Sequence, residues 1–279
     1  MRGPEGRRGE TRAITSLSNE RVKLIRALAM RKARRETGLF VAEGAALAIT
    51  ARAAGWQPTM LVFLAGSTRT PAVAELVGAA QRAGAECLEV SEAVLAKLAG
   101  KDNPQTLLAV FAQRWQNPPA TADLAGDALW LALEAPRDPG NLGSIMRSLD
   151  AVGGSGLIII GQGCDPYSRE AVRASMGSIF NVAITRMERE PFVAWRAHWP
   201  GDVVGTHLEA RLDFRRAVYR APLILLMGSE GPGLSSELSR ACSRLVKIPM
   251  AGRLDSLNLA VATALMLYEL RKANLTLGD

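Results

Sequence analysis

Two short runs in the second half of the chain, Leu157–Ile160 and Leu223–Met227, are apolar at every position. Successive side chains of a strand point to opposite faces, so a run without polar alternation is buried on both faces. This pattern is typical of a parallel sheet, because helical connections between parallel strands cover both sides of the sheet. The second half of the chain is therefore predicted to be an α/β domain built on a parallel sheet.

Shorter strand and helix patterns alternate through the first half as well, and 279 residues are enough for two separate cores. A stretch containing Pro118 and Pro119 separates the two halves. The prediction is a disordered basic tail at 1–12, a small α/β domain at 13–112, a linker at 113–127 and a second α/β domain at 128–279.

The positive charge is concentrated near the N-terminus, since residues 1–40 hold eleven Lys or Arg and four Asp or Glu and so carry the whole net charge of +7. A helix beginning near Ser18 is predicted, with Val22, Ile25 and Leu28 on one face. Its other faces carry the candidate RNA-binding residues Arg21, Lys23, Arg26, Arg31, Lys32, Arg34 and Arg35. A basic surface on a neutral body favours an anionic polymer as partner, although a solvated basic tail has the same composition.

Several classes of protein are disfavoured by what the sequence lacks. No run of about 18 apolar residues suggests a membrane span, and the charged N-terminus does not resemble a signal peptide. Cys87, Cys164 and Cys242 are odd in number and widely spaced, which is typical of reduced thiols in a cytoplasmic protein. His198 and His207 do not have metal-ligand spacing, so no metal is expected.

Three polar loops follow apolar strands in the second half: loop 1 (134–141), loop 2 (228–235) and loop 3 (248–258). Ligands of parallel sheets bind beyond the carboxyl ends of the strands, where such loops lie. Loop 2 is rich in glycine, but its spacing matches neither a P-loop nor G-x-G-x-x-G, and Glu230 would repel a phosphate. A nucleotide-phosphate site of the Rossmann kind is therefore disfavoured.

Loop 3 leads into a helix that begins at Asn258, a residue type that caps helix N-termini. This helix is apolar on almost every face as far as Glu269. A helix of that composition is predicted to be buried all round, in a core or against another subunit.

In this order the three loops resemble the three motifs of the SpoU–TrmH family of RNA ribose 2′-O-methyltransferases. The similar segments are Asp138–Arg147, Leu226–Ser235 and Ile248–Ala262, and the resemblance extends from Leu129 to Arg271. It implies a knotted α/β domain, in which the C-terminal segment threads through a loop as a deep trefoil knot. It also implies S-adenosylmethionine as cofactor and a homodimer formed through the C-terminal domain.

The resemblance also implies roles for single residues. The cofactor-binding positions are Gly228, Ile248 and Leu257, with Met250 and Gly231 as neighbours. The catalytic candidates are Arg147, which assists the ribose hydroxyl, and Asn141, Glu230, Ser256 and Asn258, which shape the site. A guanidinium keeps its proton in proteins, so we expect Arg147 to bind the adjacent phosphate and orient the hydroxyl rather than act as a base. Many members carry a serine after the Asn-Val of the third motif, where this chain has Leu259-Ala260, so a role of that hydroxyl does not transfer.

The first half resembles more loosely the small substrate-binding domain that precedes the catalytic domain in many members, through Ser16–Asn19 and Leu39–Gly44. The expected function is therefore methyl transfer to a ribose 2′-hydroxyl in structured RNA, with ribosomal RNA preferred over tRNA. A non-catalytic RNA-binding protein that retains the knotted fold is the alternative from a different class. Neither the modified nucleotide nor its base follows from the sequence.

Overall fold

A computed structural model describes residues 9–99 and 105–276 of the chain. Within those residues the strands are β1 (Thr11–Ile14), β2 (Leu39–Glu43), β3 (Met60–Leu64), β4 (Glu86–Val90), β5 (Leu107–Ala112), β6 (Leu129–Glu134), β7 (Gly156–Ile160), β8 (Ile184–Met187), β9 (Val203–Thr206), β10 (Leu212–Asp213), β11 (Leu223–Met227) and β12 (Arg244–Lys247). The α-helices are α1 (Glu20–Ala27), α2 (Arg31–Thr37), α3 (Ala45–Ala53), α4 (Pro71–Arg82), α5 (Glu92–Ala99), α6 (Pro139–Ala151), α7 (Arg169–Ala174), α8 (Arg189–Arg196), α9 (Ser236–Ala241) and α10 (Leu259–Arg271). Each of these helices is too short or too polar to cross a lipid bilayer.

The chain forms two units, and their boundaries differ from the predicted ones. Unit 1 is the chain up to Gln113 together with Tyr167–Phe180, and unit 2 is the remainder. The Tyr167 ring lies 4.8 Å from that of Phe40, and the Trp56 indole N–H donates to the carbonyl of Phe180 at 2.8 Å. These aromatic contacts fix Tyr167–Phe180 in the core of unit 1, whereas the residues on either side of this segment belong to unit 2.

The sheet of unit 1 has the order β1-β4-β3-β5-β2, in which β5 runs antiparallel to β3 and β2 and the other pairs are parallel. Strand β1 corrects the prediction of a disordered tail at 1–12, because Thr11 and Arg12 pair with Cys87 and Leu88 of β4. Ile14 is its one buried side chain, so the strand depends on backbone pairing and gives little apolar signal. Residues 1–8 of that prediction lie outside the described part of the chain.

The basic N-terminal segment forms two helices rather than the single predicted one. Asn19, not Ser18, caps α1 by accepting from the backbone N–H of Arg21 at 2.8 Å. The chain then becomes extended at Met30 before α2 begins. This break turns Arg34 inward, where 4% of the residue is exposed.

Unit 2 contains a seven-stranded sheet of order β10-β12-β9-β11-β6-β7-β8, and every pairing in it is parallel. The predicted parallel α/β sheet is therefore confirmed. The central strands β6, β7 and β11 are buried along their whole length, as expected for a sheet covered on both faces. Helices α6 and α10 pack against each other.

Candidate functional site

Loops 1, 2 and 3 leave β6, β11 and β12 at their carboxyl ends. Strands β6 and β11 are direct neighbours, with Leu133 opposite Met227, and β12 is joined to β11 through β9. Because all these strands are parallel, the three loops emerge along one edge of the sheet. This is the edge at which α/β sheets bind their ligands.

The first motif is shaped by the start of α6. Pro139 occupies the first turn, where the missing N–H has no consequence, and the Asp138 side chain accepts from the backbone N–H of Asn141. This cap fixes Asn141 in the first turn of α6, half-buried and beside loop 2.

A relay of side-chain hydrogen bonds joins the three motifs. Asn141 donates from Nδ2 to Glu230 Oε1 at 3.2 Å, and Asn258 donates from Nδ2 to Asn141 Oδ1 at 3.0 Å. Asn258 Oδ1 in turn accepts from the backbone N–H groups of Ala260 and Val261 at 2.8 and 3.3 Å. Each motif contributes one side chain to this relay.

The two ends of the relay fix its direction. An ionised carboxylate only accepts, so Asn141 must turn its amide nitrogen toward Glu230. Backbone N–H groups only donate, so Asn258 must turn its carbonyl toward the start of α10. The two requirements agree, since they leave the Asn258 nitrogen facing the Asn141 oxygen, and every donor in the relay meets an acceptor.

Glu230 is held in its ionised form. Its partial burial acts to raise its pKa, but hydrogen bonds from the backbone N–H groups of Glu230, Arg137 and Asp138 and from the Asn141 amide lower it overall. The bond from Arg137 N to Glu230 Oε2 is 3.0 Å long. Glu230 therefore binds loop 1 to loop 2, a role that the sequence did not indicate.

Glu134, at the end of β6, makes a second connection between loops 1 and 2, which the sequence did not predict. Glu134 is 5% exposed and accepts from the backbone N–H of Ser235 at 2.8 Å and from Arg189 Nη2 at 2.9 Å. The sequence feature that could have identified Glu134 is a carboxylate at the end of a fully apolar strand. It holds the far end of loop 2 against β6.

Loop 2 folds back on itself in a way that only glycine permits at Gly228. A Cβ there would lie 2.0 Å from the carbonyl carbon of Gly233 and 2.2 Å from the nitrogen of Leu234. Gly231 and Gly233 have φ angles of +93° and +71°, which other L-residues rarely adopt. The result is a tight backbone turn, and the buried Ser229 Oγ within it has no hydrogen-bond partner among the described residues.

Loop 3 offers the complementary surface for a ligand. Ile248 and Met250 are half-buried, and Leu257 is 38% exposed. Within the described residues, the backbone N–H groups from Met250 to Leu257 donate to no other protein group. Apolar side chains beside free N–H groups suit an adenine ring with a sulfonium-bearing side chain, which carries no phosphate.

Two candidate catalytic residues do not join the relay. Ser256 is exposed and donates to Asp255 Oδ1 at 3.0 Å. Arg147 lies on the exposed face of α6, and its side chain forms no ion pair or hydrogen bond with any residue that the structure describes. The structure therefore assembles Asn141, Glu230 and Asn258 and leaves Arg147 available to bind an external anion.

The candidate RNA-binding residues also separate into groups. Arg34 is corrected, because its buried guanidinium donates from Nη1 to the carbonyls of Leu28 and Ala29 at 2.8 and 2.9 Å. The exposed residues with an acidic partner nearby are Arg21 with Glu86, Lys23 with Glu20 and Lys32 with Glu36. Those exposed without an ion pair among the described residues are Arg26, Arg31 and Arg35.

Two other kinds of reactive site, a thiolate nucleophile and a metal centre, have no counterpart among the described residues. Burial raises the pKa of Cys87 to about 11 and those of Cys164 and Cys242 to about 12, so the thiols stay protonated at neutral pH. Residues 9–99 and 105–276 contain no group of three His, Cys, Asp or Glu side chains arranged to hold a metal ion.

Comparisons with known proteins match both halves of the chain. A model of the SpoU rRNA Methylase family matches residues 128–268, and a model of the MRM3-like substrate binding domain matches residues 19–109. The crystal structure of an AdoMet-bound rRNA methyltransferase from Sinorhizobium meliloti is 42% identical, with a TM-score of 0.86 over 96% of this chain and 100% of that chain.

Two similar proteins are named as methyltransferases of 23S rRNA. A guanosine 2′-O-methyltransferase from Bacillus subtilis is 28% identical over 92% of this chain and 98% of its own length. A uridine 2′-O-methyltransferase from Streptomyces viridochromogenes is 40% identical over 51% of this chain and 52% of its own length.

Proposed function

Because this chain belongs to the SpoU rRNA methylase family, we propose that it transfers a methyl group from S-adenosylmethionine to a ribose 2′-hydroxyl of ribosomal RNA. The observation that carries the proposal is the relay from Glu230 through Asn141 to Asn258, which unites the three motifs at one edge of the sheet. A protein that retained only the fold would not need to keep this relay complete. Two relatives are named as 23S rRNA 2′-O-methyltransferases, which favours ribosomal RNA over tRNA.

The residues of loops 2 and 3 fit the cofactor. Gly228 lets loop 2 fold back tightly on its own backbone, and the buried Ser229 hydroxyl, which has no hydrogen-bond partner among the described residues, has an unused hydrogen-bonding capacity. Ile248, Leu257 and the free N–H groups of loop 3 would hold the adenosine part through apolar contacts and backbone hydrogen bonds. When bound, the cofactor supplies an electrophilic methyl group on a sulfonium sulfur.

The protein's own contribution is alignment of the attacking hydroxyl. Glu230 and Asn141 fix loop 1 against loop 2, and Asn258 fixes the start of α10 against both. Arg147, exposed and without an acidic partner among the described residues, binds the phosphate next to the reacting ribose and orients its 2′-hydroxyl. Correct placement of two reactants can supply a large part of the rate acceleration of a group transfer.

The N-terminal unit supplies an RNA-binding surface. Its match to a substrate binding domain covers α1 and α2, where Arg26, Arg31 and Arg35 are exposed. Contacts of such residues with phosphates position the RNA but carry no sequence information. The same proposal places the reaction in the cytoplasm, with ribosomal RNA as the partner.

We propose also that the catalytic unit is knotted and dimeric, as the resemblance implies. The parallel sheet and the meeting of loops 1, 2 and 3 support the knot. The exposed apolar side chains of α10, namely Val261, Leu265 and Tyr268 at 50%, 43% and 52% exposure, support a dimer. An exposed apolar patch on a soluble chain commonly marks an interaction site.

Methyl transfer to an RNA that lacks modifications tests the function. Purified protein is incubated with radiolabelled S-adenosylmethionine and 23S rRNA transcribed in vitro, and methylated riboses are then mapped. The expected result is incorporation at one ribose that is unmethylated in cells lacking the gene. Two results would favour the non-catalytic alternative. One is RNA binding without incorporation of methyl groups, and the other is RNA binding without binding of S-adenosylmethionine.

A further inference from the structure

Unit 2 contains a second basic segment, in addition to the N-terminal surface formed by Arg26, Arg31 and Arg35. The segment Arg211–Arg220 reads Arg-Leu-Asp-Phe-Arg-Arg-Ala-Val-Tyr-Arg, with four arginines and one aspartate in ten residues. All four arginines are exposed, whereas Phe214 is 8% exposed. We call it the arginine segment.

The sheet register places this segment beside loop 3. Its strand, β10, pairs in parallel with β12, with Leu212 opposite Val246 and Asp213 opposite Lys247. The backbone N–H of Phe214 donates to the carbonyl of Lys247 at 3.1 Å. Lys247 is the last residue of β12, and Ile248, the first residue of loop 3, follows it. Neighbouring strands lie about 4.8 Å apart, so the part of the arginine segment just after β10, at Phe214, runs alongside the start of loop 3.

Local contacts hold the arginine segment in a defined shape. The backbone N–H of Arg216 donates to Asp213 O at 2.9 Å, and the Tyr219 hydroxyl donates to the carbonyl of Phe214. The backbone N–H of Arg220 donates to Asp202 Oδ2 at 2.9 Å. A surface fixed in this way loses little conformational entropy when it binds a ligand.

The acidic groups near the segment neutralise one arginine and leave others available. Asp213 forms a paired contact with Arg215, with distances of 3.1 and 2.7 Å, and these hydrogen bonds lower its pKa to about 2. Glu269 also lies close enough to influence Arg215. Arg211 and Arg216 have no ion pair with any residue that the structure describes.

We propose that the arginine segment is an RNA-binding surface of the catalytic unit, in which Arg211 and Arg216 bind phosphates flanking the target nucleotide. This inference rests on the proposed function for the identity of the polymer and for the role of loop 3. The N-terminal surface then captures RNA, while the arginine segment holds the backbone next to the reacting ribose. It accepts any nucleotide sequence, because its contacts are with phosphates.

The experiment compares three proteins: wild type, Arg211→Ala/Arg216→Ala, and the control Arg69→Ala/Arg82→Ala. The control removes two exposed arginines from α4 and its preceding turn, so both variants lose the same charge. Binding of 23S rRNA transcribed in vitro is measured from 50 to about 200 mM salt, and S-adenosylmethionine affinity is measured separately. Thermal unfolding establishes that each variant is folded.

For Arg211→Ala/Arg216→Ala we expect RNA binding about tenfold weaker and a slope of log K against log salt that is smaller by about 1.4–1.8. The affinity for S-adenosylmethionine should remain that of wild type. Arg211→Lys/Arg216→Lys should retain most of the RNA affinity, because these contacts anchor the RNA backbone by charge and, unlike the contact of Arg147, do not orient a reacting group. RNA affinity and salt slope equal to those of the control would overturn the inference.

The outcomes separate this inference from the proposed function. If wild type binds RNA but transfers no methyl group, the proposed function fails while the binding comparison still tests the arginine segment. If wild type methylates RNA and both double variants behave alike, the arginine segment has no role and the proposed function stands.

Discussion

At the scale of single residues, the direction of the relay makes Asn258→Asp an informative change. Aspartate caps a helix as well as asparagine, so α10 should keep its start. The new carboxylate cannot donate to Asn141, and turning the Asn141 amide would bring its carbonyl against Glu230. One pair of acceptors must therefore face each other in either arrangement.

We expect Asn258→Asp to lower kcat about 10- to 100-fold, which corresponds to the roughly 1–3 kcal/mol attached to a broken polar contact. The melting temperature should change by no more than a few degrees. Asn258→Ser is the matched control, because it retains a capping oxygen without adding a charge. Wild-type kcat in the aspartate variant would show that the relay has no part in catalysis.

Arg147→Lys tests whether Arg147 positions the substrate. Lysine preserves the charge but not the planar pair of donors that a phosphate accepts from arginine. We predict a fall of about tenfold or more in kcat, with a pH–rate profile of unchanged shape. Near-full activity would contradict a bidentate contact, and a displaced limb of the profile would favour a role in proton transfer.

Glu230 connects the relay to the pH dependence of stability. Its folded-state pKa lies below the ordinary value of 4.5, so its stabilising contribution is complete above that pH and is lost as the pH falls through the folded pKa. We expect wild type to unfold at a higher temperature than Glu230→Gln at pH 7. The difference should persist down to about pH 5.5 and then narrow toward pH 3.

Thermal unfolding of both proteins across pH 3–7 measures this difference. The glutamine variant turns an N–H₂ group toward N–H donors, which explains the expected loss of about 1–2 kcal/mol at neutral pH. A constant difference between the two proteins at all pH values would show that the loops do not depend on the charge of Glu230.

At the scale of elements, Arg34 and its neighbour Arg35 form a natural comparison. Arg34 satisfies the carbonyls at the end of α1, whereas Arg35 is exposed on α2. Arg34→Met should lower the free energy of unfolding by about 2–4 kcal/mol, because it leaves the buried carbonyl of Leu28 and the partly buried carbonyl of Ala29 without this donor. Arg35→Met should leave stability within about 0.5 kcal/mol and weaken RNA binding.

Denaturant unfolding and RNA-binding measurements on both variants check this prediction. The expected pattern is opposite for the two positions: stability changes at Arg34 and RNA affinity at Arg35. If Arg34→Met remained as stable as wild type, the cap at the end of α1 would not matter energetically.

The same elements show where prediction from sequence succeeded and failed. The bounds of β11 follow from its apolar composition, and the structure reproduces them. Strands β1 and β10 escaped prediction because both are short, largely polar edge strands that depend on backbone pairing. The break between α1 and α2 escaped because basic residues continue through it without a proline or glycine.

The site was predictable only in part, for a related reason. Motif similarity singled out Asn141, Glu230 and Asn258 one by one, but their contacts span 89 and 117 residues of sequence. Such contacts depend on how distant loops meet, which local composition does not determine. The burial of Arg34 is of the same kind, since its helical spacing alone places it among exposed cations.

At the scale of the whole molecule, α10 connects the site to assembly. Its first residues complete the relay, its buried side chains include Leu259, Met266 and Leu267, and it packs on α6, the helix that carries Arg147. The side chains that this chain leaves uncovered on α10 are largely apolar. A second copy that covered them would hold α10, and with it Asn258, in a fixed position.

We therefore predict that wild type is a dimer and that Leu265→Arg, at the centre of this exposed face, is monomeric. A buried unpaired charge in an interface is strongly unfavourable, so dissociation should follow without loss of the fold. Ile49→Arg is the control, because Ile49 is similarly exposed at 49% but lies on α3 of unit 1. Sedimentation velocity gives the oligomeric state of each variant, and thermal unfolding verifies the fold.

Activity measurements on the same proteins then show whether assembly supports catalysis. If the partner copy steadies α10, monomeric Leu265→Arg should bind S-adenosylmethionine more weakly and methylate RNA at least about tenfold more slowly, while Ile49→Arg behaves as wild type. A monomeric wild-type protein, or a dimeric Leu265→Arg variant, would exclude α10 as the interface. A monomeric Leu265→Arg variant with full activity would show that the partner copy does not support catalysis. In that case α10 would contribute to the site only within its own chain, through the contact between Asn258 and Asn141.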